Sequence, residues 1–343
     1  MEPEVKAPQD TTVLVTGISG FLARHVAQQL LQKGYSVRGT LRSLARGAEV
    51  EESLRAAGAD TGKLQLFEAD LLRDEGWAAA AAGCDTLIHT ASPFPSALPK
   101  SEDELIRPAR EGTLRVLRAA HAAGVRRVVL TSSIAATNYG PGKAPFTEED
   151  WTDVDGPQAT PYYKSKTLAE QAAWDFSRQT GLELAVINPA MILGPLLGGA
   201  PGTSVDVVRK LFGGEFAALP RFGIALVDVR DVADAHLRAM VTPEAAGQRF
   251  IAGGRFLWLK EVAEILRERF PERSGKIPRR VAPDWLVRIL AHFDPTIRLI
   301  TGELSRDRSV SADKAKRLLG WVPRPAEETL AATVTSLIAH GRL

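Results

Sequence analysis

Apolar and polar positions follow two regimes along the chain. In the first half, short β-branched or apolar runs alternate with longer amphipathic stretches, the rhythm of βαβ units that build a parallel sheet. Thr12 to Thr16, Tyr35 to Thr40, Lys63 to Glu68, Thr86 to Thr90, Arg127 to Thr131 and Glu183 to Asn188 are predicted strands. Each holds several apolar residues in succession, as strands covered on both faces do. Phe21 to Lys33, Glu102 to Ala123 and Pro161 to Thr180 are predicted helices, closing at Gly34, Gly124 and Gly181. Glycine suits those ends because it accepts the left-handed conformation that stops a helix. After Pro189 the rhythm breaks into a Gly/Pro-rich loop, Gly194 to Gly202, and isolated elements. Helices are predicted at Ser204 to Phe212, Arg230 to Met240, Leu259 to Phe270 and Pro325 to His340, with a short strand from Phe250 and a Pro/Arg segment from Lys276 to Arg280. Ala78 to Ala82 reads as a helix surface.

The first predicted strand runs without a gap into Gly17-x-x-Gly20-x-x-Ala23 and a helix; Thr11 to Ala23 reads TTVLVTGISGFLA. Glycines belong there because the backbone must turn sharply and approach a ligand without a Cβ, while the helix aims free N–H groups and its positive end at a pyrophosphate. Ala23 lets helix and strand pack closely. Gly17, Ser19, Gly20, Phe21 and Leu22 are the candidate dinucleotide contacts of this turn. Arg42 closes the second strand about twenty residues on, where an acid would bond the ribose 2′-OH of NAD. An arginine matches a 2′-phosphate instead, through charge-assisted hydrogen bonds, so the expected cofactor is NADPH (NADP+), with Arg38 or Arg46 as a second cation. Asp70-Leu71 and Thr90-Ala91-Ser92-Pro93 leave the carboxyl ends of the third and fourth strands, the ligand edge of such a sheet. Two readings of Asp70 stand, a bond to the adenine amino group and a helix N-cap.

These features predict an α/β fold, a Rossmann-type doubly wound parallel sheet with a smaller C-terminal substrate-binding lobe. Residues 1–190 would form the NADP-binding domain, joined by a returning segment at about 224–252, and 191–343 would form mainly the lobe.

The fifth strand ends in Ser132-Ser133, again at the ligand edge, and Tyr162-Tyr163-Lys164-Ser165-Lys166 opens a long helix. Tyr162 and Lys166 stand at i and i+4 and share a face, whereas Tyr163 meets Thr167 at that spacing. A phenol with a pKa of about 10 is a poor acid-base group at neutral pH, and a nearby ammonium favours its phenolate. In reduction such a tyrosine would protonate a carbonyl oxygen as hydride arrives, a serine would hold that oxygen, and Lys166 would grip the ribose.

Composition narrows the picture further. The 343 residues are 45% hydrophobic and 24% charged, which excludes disorder and fibre. Lys+Arg 43 against Asp+Glu 41 leaves a formal charge of +2, no nucleic-acid footprint. No apolar run approaches the roughly 18 residues of a membrane span, and the acids and prolines of Met1 to Asp10 do not read as a signal peptide. A single cysteine, Cys84, forms no intramolecular disulfide and suits a reducing, cytoplasmic compartment. It reads as a small buried hydrophobe without a cation beside it, a nucleophile being the alternative. Six histidines without clustered acids suggest no metal site.

TGISGFLA, DLLRD, HTASP, LTSSIAA, YYKSK, NPAMILGP, VDVRDVADAH and KRLLGWVP follow in an order and spacing that resembles the extended short-chain dehydrogenase/reductase superfamily over nearly the whole chain. Within it, VRGTLRS, HTASPF and TSSIAATNYG look most like the dihydroflavonol reductase, cinnamoyl-CoA reductase and ketoreductase branch. The resemblance implies an NADPH-dependent reductase of aldehydes or ketones, with Ser133 as catalytic serine, Ser132 as its near alternative, Tyr162 as acid and Lys166 as partner. It implies Arg42 at the 2′-phosphate, Asp70 at adenine, and Pro189, Met191 and Ile192 against the nicotinamide. Asn188, where Arg or Ile is commoner, receives no role. Asn138 and Tyr139 line the pocket or serve the loop.

By the same resemblance the pocket is built from Pro93, Phe94, Tyr139, Met191, Ser204, Phe212 and Phe222, mostly apolar. That favours an aromatic or alkyl carbonyl compound over a sugar nucleotide, which Arg209, Lys210 and Arg221 keep open. Asp228 and Asp231 flank Arg230 as a structural pair, Asp231 reading as an N-cap and His236 as structural. The rivals are a nucleotide-sugar epimerase or dehydratase, a hydroxysteroid dehydrogenase, and a nucleotide-binding sensor without chemistry. Relatives of this kind occur as monomers and homodimers.

Overall fold

The computed structural model describes residues 7–92, 101–198, 202–298 and 300–343. Six strands lie within one residue of their predicted ends: β1 (Thr12–Thr16), β2 (Ser36–Leu41), β3 (Leu64–Glu68), β4 (Thr86–His89), β5 (Arg127–Thr131) and β6 (Glu183–Pro189). They are followed by β7 (Met191–Leu193), β8 (Leu219–Pro220), β9 (Gly223–Asp228), β10 (Arg249–Ala252), β11 (Phe256–Trp258) and β12 (Val281–Ala282). Seven strands form one parallel sheet in the order β10-β6-β5-β4-β1-β2-β3. The order reverses between β1 and β4, the crevice where such sheets hold dinucleotides.

The first eight helices are α1 (Phe21–Gln32), α2 (Gly47–Ala56), α3 (Trp77–Ala81), α4 (Asp103–Ala122), α5 (Pro161–Thr180), α6 (Thr203–Gly213), α7 (Val229–Val241) and α8 (Leu259–Arg269). Alternate residues of one strand serve opposite layers. Val13 and Val15 of β1 pack with Val26 and Leu30 of α1 and Val232 of α7. Leu14 faces the other way, among Trp77 of α3, Val116 and Leu117 of α4 and Ala173 of α5. A three-stranded sheet, β11-β9-β7, builds the smaller layer with α6, α8 and the helix Ala326–Ala339. Leu226, Val205, Phe212, Val262 and Leu330 form its core.

Three expectations change. β3 is an edge strand with only β2 beside it, so its residues are half-buried or exposed instead of covered on both faces. The predicted alanine surface holds for Ala78, Ala79 and Ala82, which are exposed, while Ala80 and Ala81 are buried with Trp77, their small side chains letting α3 pack closely against the sheet. Cys84 is buried as expected, but Arg38 lies beside it; burial outweighs that cation and pushes the thiol above its ordinary pKa. Among the described residues no helix is long and apolar enough to cross a membrane.

Three histidines are buried in neutral form. Burial lowers His89 to about 3 and His25 and His236 to about 4. Their partners agree: His236 Nδ1 donates to the Val232 carbonyl at 2.7 Å, leaving Nε2 to accept from the Thr131 hydroxyl at 2.7 Å. Below a pH of about 6.5 the unfolded chain takes up these protons while the native protein refuses them. Stability present above that pH is therefore lost as pH falls through about 4 and then about 3, each group contributing up to about 1.4 kcal/mol per pH unit. Urea melts between neutrality and mild acid should show it, with Phe substitutions of His89 or His236 flattening the slope.

Candidate active site

The glycine turn is shaped by what lies against it. Gly17 has φ +67°, and a Cβ there would come 3.0 Å from the Ala91 Cβ, so the turn rests on the loop that follows β4. Its N–H donates to Thr40 Oγ1 at 3.0 Å and the next N–H, of Ile18, to the Thr40 carbonyl at 3.0 Å. Gly20 precedes α1 without a side-chain cap, so the first amides of the helix, among them Phe21 and Leu22, keep their donors for a ligand. Arg24, missed in the sequence, is buried behind the turn. Its guanidinium donates to the Ser19 carbonyl at 3.3 Å, Ser53 at 2.8 Å, the Leu197 carbonyl at 2.9 Å and Glu49 at 2.6 Å. A turn with no room for a Cβ, before a helix with no competing cap, fits a pyrophosphate.

Arg42 follows β2 directly and is exposed at the edge. Arg38 is not available as a second cation: it lies four residues back, about 13 Å along the strand, and donates to the carbonyls of Ala79, Ala80 and Ala82. Arg46 is exposed and pairs with Glu49 at 3.2 Å. Asp70 accepts the Leu72 N–H at 3.0 Å, so one oxygen serves its own loop, and Leu71 is half-buried against α4. In the next loop, Thr16 Oγ1 accepts the amides of Thr90 at 3.1 Å and Ala91 at 3.0 Å. Its one proton then goes to His89 Nδ1 at 2.7 Å. This knot fixes Ser92, whose hydroxyl takes the Lys166 ammonium at 2.9 Å.

A cleft of about 440 Å³ opens where the strand edge meets the lobe. Thr160 caps α5, its hydroxyl accepting the Tyr163 N–H at 3.3 Å, and Pro161 pre-sets the first turn. That start places Tyr162 and Lys166 on the cleft floor, the Lys166 ammonium 5.9 Å from the Tyr162 ring centre. Ser133 bonds the Tyr162 hydroxyl, while Ser132 turns away and donates to buried Glu170 at 2.5 Å. Geometry thus separates two serines that the sequence left side by side. Burial pushes Tyr162 above the ordinary phenol range, opposed by the Ser133 bond, and lowers Lys166 to about 8. The expected depression of the phenol by its lysine is overridden because burial disfavours both charges.

The cleft also takes in Phe21, Leu22, Thr90, Pro189, Met191 and Ile192, together with Tyr139, Ser204 and Phe222. Phe212 does not belong to it: α6 presents Ser204 to the cleft and turns Val205, Val208 and Phe212 into the lobe core, where Phe212 stacks edge-on with Phe270. Pro93 and Phe94 lie outside the described residues. Tyr163 has a partner after all, stacking on Tyr139 with ring centres 3.7 Å apart. Unforeseen is a wall from the far end of the chain, Glu303 and Arg308, paired at 2.8 Å with Arg308 lying over the Tyr139 ring.

The basic residues that kept a sugar nucleotide open are engaged elsewhere. Arg209 bonds Asp206 at 2.6 Å and Glu215 at 2.7 Å, Lys210 pairs with Asp206 at 3.2 Å, and Arg221 lies over Trp258. Asp228, not Asp231, caps α7, accepting the Arg230 N–H at 2.9 Å; Asp231 instead holds the Arg324 N–H at 2.7 Å.

Residues 13–253 match the NAD dependent epimerase/dehydratase family. The chain is 37% identical to a cinnamoyl-CoA reductase of Medicago truncatula, covering 95% of each protein. It is 34% identical to dihydroflavonol 4-reductase of Zea mays, over 82% of this chain and 80% of that protein. Among solved structures, yeast methylglyoxal/isovaleraldehyde reductase Gre2 complexed with NADPH superposes with a TM-score of 0.79 at 30% identity, covering 97% of this chain and 100% of that one. The chain belongs to the NAD dependent epimerase/dehydratase family, the extended short-chain dehydrogenase/reductases, as one of its nicotinamide-dependent oxidoreductases.

Proposed function

We propose that the protein is an NADPH-dependent reductase that converts a hydrophobic aldehyde or ketone to its alcohol, with Tyr162 as proton donor. The meeting of Ser133, Tyr162 and Lys166 on the floor of one apolar-walled cleft carries this reading. Residues 1–190 with the 224–252 return are assigned to the nucleotide and 191–343 mainly to the substrate. The glycine turn, Phe21 and Leu22 would hold the pyrophosphate, Arg42 the 2′-phosphate, Lys166 and Ser92 the ribose, and Pro189 to Ile192 the nicotinamide face. NADPH, when bound, supplies the hydride.

Tyr162 holds its proton at neutral pH, as any phenol with a pKa of about 10 does and as burial further favours, and so it can give that proton to the carbonyl oxygen. Ser133 orients the same oxygen. Lys166, cationic below about 8, stabilises the phenolate that Tyr162 becomes after the transfer. The cofactor match is supported by the NADPH held in the yeast aldehyde reductase that this fold resembles.

NADPH consumption, followed with aryl and aliphatic aldehydes, α-keto esters and dihydroflavonols beside NADH and UDP-sugars, tests the reading. Turnover of at least one carbonyl with NADPH preferred is expected, and kcat/KM should fall as pH rises through about 8 and Lys166 loses its charge. Conversion of a sugar nucleotide without net cofactor consumption would replace this reading by the epimerase.

A further inference from the structure

Asn188, to which the sequence assigned no role, sits at 0% exposure near the end of β6, beside the catalytic strand end. Its amide nitrogen donates to the Ser133 carbonyl at 3.1 Å and to Glu170 Oε2 at 2.8 Å. Both neighbours are acceptors, which settles which end of the amide faces them. The same Glu170 oxygen receives the Ser132 hydroxyl, so the catalytic serine is tethered to one carboxylate through its own carbonyl and through the residue before it. Glu170 Oε1 takes Arg249 Nε at 2.5 Å and Trp174 Nε1 at 3.3 Å. Arg249 in turn is held by the carbonyls of Glu148 at 2.8 Å and Asp150 at 3.0 Å, with its guanidinium 3.7 Å from the Trp151 ring centre.

The other end of the Asn188 amide is peculiar. Among the described residues Oδ1 is buried without a hydrogen-bond partner, an arrangement that ordinarily destabilises a fold. Its two donors are what the position retains: one ends on the carbonyl of the serine that bonds Tyr162, the other on the Glu170 carboxylate that also holds Ser132.

We propose that Asn188 is a positioning residue for proton transfer: its amide ties the Ser133 backbone to the Glu170–Arg249 pair and so fixes the Ser133 hydroxyl against Tyr162. This rests on the reductase reading above. A serine released by its backbone shifts by a fraction of its hydrogen-bond length or more, and misplacement on the scale of 1 Å costs on the order of 100-fold in rate.

Asn188→Leu keeps the approximate shape and removes both donors. With NADPH and isovaleraldehyde, or the best carbonyl of the panel, kcat should fall roughly 10- to 100-fold while the KM for NADPH stays at the parent value. A kcat equal to the parent's, with or without a lower Tm, overturns the proposal. Asn188→Asp is the second variant and decides alone if Asn188→Leu does not fold. Its carboxylate, facing Glu170 and behind it Arg249, lacks a donor, but its protonated form regains one. Activity that recovers as pH is lowered, in a profile absent from the parent, upholds the positioning role; a parent-like profile overturns it. If the parent consumes NADPH with no carbonyl, the reductase reading fails on its own. The crystal structure of Asn188→Leu then decides: Ser133 out of reach of Tyr162 upholds the tether, Ser133 in place overturns it.

Discussion

Replacing Tyr162 with phenylalanine will lower kcat by about 10²- to 10⁴-fold, the worth of a positioned general acid, while NADPH binds nearly as tightly as before. The change removes one oxygen from a cleft wall otherwise untouched. The glycine turn, Lys166 and Ser92 are set by α1, α5 and the Thr16–His89 knot, none of which depends on that hydroxyl. Lys166 lies over the ring of Tyr162, and the ring is retained. Fluorescence titration with NADPH and steady-state rates on the same preparation separate the two effects. Survival of turnover would place the proton donor elsewhere, and lost nucleotide binding would mean that the hydroxyl holds the cofactor site together.

Changing Arg42 to aspartate will reverse the cofactor preference. Hydrogen bonds to a charged group are worth about 1.5–3 kcal/mol each, and an aspartate replaces them with repulsion toward a 2′-phosphate and an acceptor for a ribose 2′-OH. A swing of at least about 100-fold in the NADPH-to-NADH ratio of kcat/KM follows, since each such bond already exceeds the roughly 1.4 kcal/mol that makes one factor of ten, and two exceed two such factors. Arg42 is exposed, so the melting temperature should barely move. An unchanged ratio with either cofactor would show that the 2′-phosphate is read by another residue.

How far the sequence could be read depends on how local each feature is. β1, α1 and the turn between them are written in consecutive residues, and Tyr162 and Lys166 in a single helical spacing, so both were legible. α2 escaped because Gly47, Val50 and Leu54 are its only buried residues, a stripe too narrow to stand out among its glutamates. Phe212 was misplaced because its apolar character shows that a helix face is covered but not by what; the lobe core and the cleft lie on different sides of α6. Ser132 and Ser133 could not be told apart by spacing, since Glu170, which claims Ser132, stands 38 positions away. Arg308, bonded to the Asn138 carbonyl at a separation of 170 residues, leaves no periodic trace at all.

The family match ends at residue 253, yet Glu303 and Arg308 face the same cleft as Tyr162. The candidate proton donor and one wall of its cleft are therefore written in separate stretches of the sequence. Exchanging residues 254–343 with those of another such reductase is then expected to change which molecules enter the cleft while leaving Ser133, Tyr162 and Lys166 in place.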